Sequence, residues 1–497
     1  MARWSVRSPH DVVLEPSLGD GQFVRAVTNH ASVEGWGSPK ILAAEIDPAT
    51  ASAAVSQGCL TPEDLHVGDF LSTSFPPVDV VIGNPPYVRL RAVDSKQKES
   101  AQKAMMDSLG CQMDVAGSLW MPFVAKSTSQ LKIGGRLALV LPLDFTYVRY
   151  ARSLWQFLGA NFGHIMVLRF QKRVFTDILQ NVLILLADEK GKTTPTVDFF
   201  AAESINDFDQ SKISDRKRLR ITDIVDGRRV FQRALISDDA IRAYEELLQY
   251  SSTAATRAKF NIGYVAGNKK FFHPTAGDVS LFGIPENSLL PAAVSTRQLS
   301  GAGLRTSSMH ITSRLWLPGS ELTAGEIKYV RTGEDTRVDQ AYKCQIRNPW
   351  FRVPGVKKPD VLLSVFSDRP TLHLNDAGWV ASNSVLCGYL KSSEKAEPFA
   401  QSWYTALSLL STELEVHSLG GGVMIAVPRE ADSIRLLDAK HVRDRNLEPL
   451  NSYLRNSSSE GAYRDGDPYI DALIGRQGTD LLWSALEEIG RWRRAKG

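Results

Sequence analysis

The segment Asn84-Pro85-Pro86-Tyr87 holds the residue types most suited to chemistry. Two consecutive prolines hold φ nearly fixed and bring no backbone N–H, so the loop is stiff and its carbonyl oxygens face no local donor. The Asn84 side-chain oxygen and the Pro85 carbonyl can together accept both hydrogens of an aromatic amino group. Those bonds draw the amino nitrogen out of conjugation and leave its lone pair for an electrophile. Tyr87 adds a flat ring on which a base can stack. Three further segments carry matching chemistry. Glu15-Pro16-Ser17-Leu18-Gly19-Asp20-Gly21 couples an acid, suited to an ammonium group, to glycines that let the backbone approach a ligand closely. Glu45-Ile46-Asp47-Pro48 offers a carboxylate for a pair of ribose hydroxyls, or equally an ordinary helix entry with Asp47 as cap. Gly68-Asp69-Phe70 offers an acceptor for an adenine amino group and a ring for its face, and carries little weight alone.

These segments need a frame. Short apolar runs at Val12–Leu14, Ile41–Ala44, Val78–Ile82, Leu137–Leu141, Ile165–Phe170 and Val182–Leu186 predict strands. Ala49–Gln57 and Leu119–Leu131 between them predict helices, the second closed by Gly134-Gly135 as a C-cap. Strands alternating with helices predict a mostly parallel α/β sheet, and all four segments fall at carboxyl ends of strands, where such sheets bind ligands. From about residue 190 the texture changes. Lys190–Pro195 reads as a turn, and residues 211–233 carry eight Lys/Arg against three Asp, a solvated face or a phosphate-facing strip. A helix is predicted over Asp238–Gln249 with Ser237 as N-cap, and another over Asp480–Arg494. The part between is turn-rich. The predicted division is 1–233 and 234–497.

Composition sets outer bounds. With 497 residues, more than one domain is expected, and 43% hydrophobic with 23% charged residues fits a folded globular chain. A net charge of +3 is too small to argue for nucleic acid by itself. Cys59, Cys111, Cys344 and Cys387 are far apart and form no C-x-x-C pair, which argues against a zinc site and a disulfide framework. No metal is expected. No apolar run approaches the roughly 20 residues that span a bilayer, so a cytoplasmic protein with no membrane partner is expected.

The ordered set EPSLGDGQF, AAEIDP, GDF and GNPPY resembles the gamma-class amino-methyltransferases of bacterial restriction–modification systems, the TaqI-like adenine-N6 DNA methyltransferases. The likeness runs motif by motif through the first ~190 residues. It implies a Rossmann-like class I fold, a seven-stranded sheet with one antiparallel strand, followed by a mixed α+β target-recognition domain. It also implies S-adenosylmethionine as cofactor. Glu15, Pro16, Gly19 and Gly21 would then lie along its methionine portion, Glu45 on the ribose, and Ile46, Asp69 and Phe70 around its adenine. Asn84, Pro85 and Tyr87 would hold a target adenine extruded from double-stranded DNA. Val174-Phe175-Thr176 resembles the family segment whose phenylalanine forms the second wall of that base site. Relatives carry a further motif upstream of the glycine turn, for which 14 residues precede Glu15 here.

In the C-terminal part, Asn261–Phe272 and Tyr342–Phe351 resemble segments of the recognition regions, and Lys269, Lys270 and Arg347 are expected at DNA. A folded hairpin with core aromatics fits both segments as well. A separate restriction endonuclease is the expected partner. Glu326-Ile327-Lys328 has the E-x-K form of a nuclease site but lacks a suitably spaced P-D. The rival reading is an N-P-P-Y methyltransferase acting on rRNA or on protein glutamine.

Overall fold

A computed structural model describes residues 1–172, 182–205, 216–301, 303–308, 311–418, 422–442 and 446–495. Its contacts divide the chain into two units, Met1–Leu235 with Ala495–Gly497, and Ile236–Arg494.

Among the described residues the first unit is built on nine strands: β1 (Val12–Glu15), β2 (Lys40–Glu45), β3 (Leu65–Val67), β4 (Val78–Gly83), β5 (Leu131–Pro142), β6 (Phe162–Phe170), β7 (Val182–Lys190), β8 (Thr196–Ala202) and β9 (Lys217–Arg220). Their order is β3-β2-β1-β4-β5-β7-β6-β8-β9. β7 runs antiparallel to both β5 and β6, and β9 antiparallel to β8; the other neighbours are parallel. The sheet thus holds two more strands than the resemblance implies. β1, β4 and the Leu137–Pro142 half of β5 are almost wholly apolar because both faces are covered there. Val13, Val80 and Ala138 sit at zero exposure in one cluster with Val6, Val27 and Ile82.

Strand order reverses between β1 and β4, and the crevice outside the carboxyl ends at such a switch point is where open sheets bind ligands. One sequence expectation fails nearby. The helix ends at Gln130 and β5 begins at Leu131, so Gly134-Gly135 lies inside the strand rather than capping the helix. Gly134 takes φ +79° where the β4–β5 register shifts between Val78 and Val80, which marks a bulge.

The second unit centres on an antiparallel four-stranded sheet of Ala258–Ile262, Val385–Leu390, Val361–Ser364 and Leu372–Leu374, in that order. Phe260, Trp403, Leu407, Leu410, Tyr463 and Leu482 fill its core. Ser237 caps Asp238–Leu247 by accepting from the Ala240 amide. Asp467–Arg494 is two helices that meet at Gly475, whose φ +73° and ψ 164° are non-helical, so the last helix starts about a turn before the predicted Asp480. Among the described residues, no helix is long and apolar enough to cross a membrane. The four cysteines are free thiols.

Candidate active site

Three loops meet at the switch point. β1 ends on Glu15, which is 1% exposed, and its Oε2 has no hydrogen-bond partner. Burial pushes this carboxyl well above its ordinary range. An anion so placed calls for a cation. Gly83, at the end of β4, is packed so closely that a Cβ there would stand 3.1 Å from Pro16 Cδ and 3.7 Å from Glu15 Cγ. Gly19 and Gly21 adopt φ +53° and +77°, conformations that glycine takes without steric cost. Gly21 then caps the helix Gln22–Val33.

Glu45 ties this turn to the second strand. Its Oε2 accepts from the Gly19 amide at 2.8 Å and its Oε1 from the Asp47 amide at 2.9 Å. Asp47 caps Pro48–Ser56 by accepting from the Thr50 amide at 2.8 Å, as the helix-entry reading of this turn expects. Ile46 is half exposed beside it, an apolar surface without cover. The Glu45 carbonyl accepts from the Gly68 amide at 2.8 Å, which brings the third segment in. Asp69 Oδ1 accepts from the Leu71 amide at 2.9 Å, while its buried Oδ2 has no partner. Phe70 departs from expectation. Its ring is 2% exposed, with Phe123 at 5.2 Å, Phe75 at 6.2 Å and the Lys126 ammonium at 5.4 Å, so it belongs to the core and presents no open stacking face.

The proline loop is held from both sides. Ser17 Oγ donates to the Asn84 carbonyl at 2.8 Å, a bond the sequence reading missed. The Tyr87 hydroxyl lies 2.6 Å from Asn84 Oδ1 and 3.1 Å from the Val140 carbonyl oxygen, and its burial pushes the phenol pKa up. Past Tyr87, the Val88 carbonyl accepts from the Leu119 amide and from Ser118 Oγ, both at 2.9 Å. Among the described residues the Pro85 carbonyl accepts no hydrogen bond. Phe175 lies outside the described residues.

The recognition-segment residues lie in the second unit. Lys269 and Lys270 are exposed, and Lys269 Nζ donates to the Val294 carbonyl at 2.7 Å. Arg347 is half-buried. Its guanidinium donates to the Ala266 carbonyl at 2.8 Å and to the Val265 carbonyl, and sits 5.7 Å from the Phe272 ring. It staples its segment to the Val265–Ala266 backbone. The aromatics of both segments pack in or against the core except Tyr342, which is exposed; Phe271 stacks on Tyr329 at 4.6 Å and lies 5.4 Å from Trp350. Glu326 of the E-x-K tripeptide closes a capping box with Thr323 and accepts from Trp316 Nε1 at 3.1 Å. The basic run is partly neutralised, since Arg216 and Arg218 flank Asp198 at 3.4 and 3.1 Å and Arg220 and Arg228 flank Asp223. Its residues 211–215 lie outside the described ones.

A largely parallel α/β sheet with an acid, a glycine turn and an N-P-P-Y loop at its switch point defines the class: an open-sheet fold with a ligand crevice at its carboxyl edge. Residues 69–175 match the family described as Eco57I restriction-modification methylase, and residues 228–470 match the C-terminal domain of Type II methyltransferase M.Eco57I. The resemblance to restriction–modification methyltransferases read from the motifs is thereby borne out at the level of the family. Type II methyltransferase M.AccI of Acinetobacter calcoaceticus is 23% identical over 74% of this chain and 69% of its own length. M.HincII of Haemophilus influenzae is 27% identical over 39% of this chain and 35% of its own, so the chain spans about a third of that relative. The solved Type IIL restriction–modification enzyme MmeI in complex with DNA shares the fold at TM-score 0.55 and 12% identity, covering 97% of this chain and 73% of that one.

Proposed function

We propose that this chain is an S-adenosylmethionine-dependent DNA methyltransferase that modifies the N6 amino group of adenine. It would serve as the modification enzyme of a restriction–modification system with a separate endonuclease. The carrying observation is the Ser17–Asn84 hydrogen bond, which fastens the N-P-P-Y loop to the turn that bears the orphaned Glu15 carboxylate. An amino-group acceptor and a cation site thus share one crevice.

Glu15 and Asp69 fit the cofactor by their unmet hydrogen-bonding capacity, and Glu45, whose oxygens each accept one amide already, by its remaining lone pairs. Glu15 Oε2 would take its ammonium group, Glu45 its ribose hydroxyls and Asp69 Oδ2 its adenine amino group, with Ile46 against that ring. Bound there, the cofactor supplies a methyl group on a positively charged sulfur. The chain's own contribution is positioning and electrostatics. Asn84 Oδ1 and the Pro85 carbonyl would accept the two amino hydrogens of the target base, and the Tyr87 ring would stack on it. The base must leave the duplex for this, because its amino group cannot reach a buried donor from within the stack. In the structure the Tyr87 hydroxyl holds the Asn84 oxygen, so base entry means sharing or exchanging that bond.

Asn84→Ala is expected to lower methyl transfer by about 10²–10³-fold with cofactor affinity unchanged. Mass spectrometry of nucleosides, with methylome sequencing of DNA from cells expressing the parent, checks the base and the atom. N4-methylcytosine, or methylated rRNA with unmodified DNA, would refute the proposal.

A further inference from the structure

Phe70 lies in the core against two side chains of one helix, Trp120–Gln130. Phe123 approaches its ring at 5.2 Å and the Lys126 ammonium at 5.4 Å, and their i, i+3 spacing puts both on the same face of that helix. Lys126 Nζ also donates to the Leu71 carbonyl at 2.8 Å. The lysine thus holds both residues that follow Asp69, reaching them from 55 positions away.

The turn it holds is also braced from within. Asp69 Oδ1 accepts the Leu71 amide, and the Asp69 carbonyl accepts from Ser72 Oγ at 2.9 Å and from Thr73 Oγ1 at 3.1 Å. These bonds lie within residues 69–73 and set the shape of the turn. Lys126 sets where that turn sits against the helix. Lys126 is half-buried, and among the described residues it forms no ion pair with a carboxylate. Burial lowers its pKa; the charges of Asp69 and Asp107 oppose that, and Lys103 adds to it. Desolvating an ammonium costs stability unless an acceptor or an anion compensates. Here the compensating groups are the Leu71 carbonyl and the charge of Asp69, the residue whose buried Oδ2 has no partner.

We infer that Lys126 is a positioning residue for the adenine half of the cofactor, anchoring the turn after β3 so that Asp69 Oδ2 stays available to an amino group. The inference rests on the proposed assignment of Asp69 to the adenine amino group and adds the residue that makes that assignment selective. Phe70, packed against Phe123 and Lys126, is the handle of this anchor rather than a wall of the site.

The test measures binding of S-adenosylhomocysteine and S-inosylhomocysteine to the full chain by calorimetry. The second compound carries a carbonyl oxygen where adenine has its amino group, and so meets Asp69 with an acceptor instead of a donor. The parent should prefer the adenosyl compound by at least about tenfold. Lys126→Met keeps an unbranched stem and loses both the donor and the charge. It should weaken the adenosyl compound by about 3–10-fold and the inosyl compound by less than about twofold, so the preference shrinks. Lys126→Arg, which keeps the charge and the donors, should restore most of it. Melting temperatures are measured alongside. Should Lys126→Met not fold, Lys126→Gln takes its place and should shrink the preference in the same direction. An undiminished preference in a folded neutral variant would overturn the inference. Equal weakening of both compounds would overturn it too, as would failure of both neutral variants to fold, since either result reduces Lys126 to a support of the fold. A parent that binds neither compound, or binds both alike, would defeat the proposed cofactor assignment itself, and is told apart because it is scored on the unaltered chain.

Discussion

Each unit buries a glutamate, and the two are treated in opposite ways. Glu15 ends β1 at 1% exposure with one oxygen unpartnered. Glu413 lies in the helix Ala406–Glu415 at 7% exposure, and both its oxygens accept from Arg493, at distances of 2.9 to 3.2 Å. Arg493 also donates to the Gly422 carbonyl and to Asp368. Burial raises both carboxyls; at Glu15 it is opposed by the Val24 amide and by the charge of Arg25, at Glu413 by a guanidinium bonded directly to both oxygens. A buried charge with its partner in place holds a fold together. One with an oxygen left unmatched costs stability and suits a ligand that arrives to take that oxygen.

The sharpest way to break this contrast is to remove the arginine. Arg493→Ala should cost about 3–5 kcal/mol of stability by stranding Glu413, read by chemical denaturation. A loss below about 1 kcal/mol would put the two glutamates on the same footing. Glu15→Gln should do the reverse. Its raised carboxyl binds a proton more readily folded than unfolded, so folding stability falls as pH rises from the ordinary glutamate range toward the folded value. A neutral glutamine escapes that penalty, and the variant should melt no lower than the parent at pH 8. Cofactor affinity should fall about 10–100-fold, the worth of a charged hydrogen bond, by calorimetry. In the parent, acidification should weaken cofactor binding by protonating Glu15, and that dependence should vanish in Glu15→Gln.

His373 supplies the mirror case in the second unit. Burial lowers it from 6.5 to about 4, so the unfolded chain takes up its proton first as pH falls. The stability it contributes is complete above 6.5 and is lost toward 4, at up to about 1.4 kcal/mol per pH unit. Urea titrations between pH 4.5 and 7 should show this slope, and His373→Gln should flatten it. The smallest effect expected is from Ser17→Ala. Losing one hydrogen bond to the Asn84 carbonyl should cost about 0.5–1.5 kcal/mol of transition-state stabilisation, a several-fold fall in kcat with cofactor binding intact.

Much of the first unit was legible in the residues. Apolar runs placed Val12–Leu14, Ile41–Ala44 and Val78–Ile82 within a residue or so of β1, β2 and β4, because a strand covered on both faces must be apolar throughout. Ser237 and Asp47 announced helix starts, since capping is a contact between near neighbours. Glycine was read less well. Gly134 looked like a helix stop and is a strand bulge, whereas Gly475 does break the helical run before the last helix, because a positive φ serves both uses.

The chemical types at the candidate site, from Glu15 to the N-P-P-Y loop, were therefore written in the chain, together with the strands that carry them. Tertiary packing alone decided their condition. It left Glu15 and Asp69 each with an unmatched buried oxygen, sank the Phe70 ring into the core, and turned Arg347 onto the distant Val265–Ala266 backbone. It also paired Glu413 with an arginine 80 positions away. Periodicity and capping act over a few residues, whereas desolvation and charge pairing depend on which distant segments fold against one another.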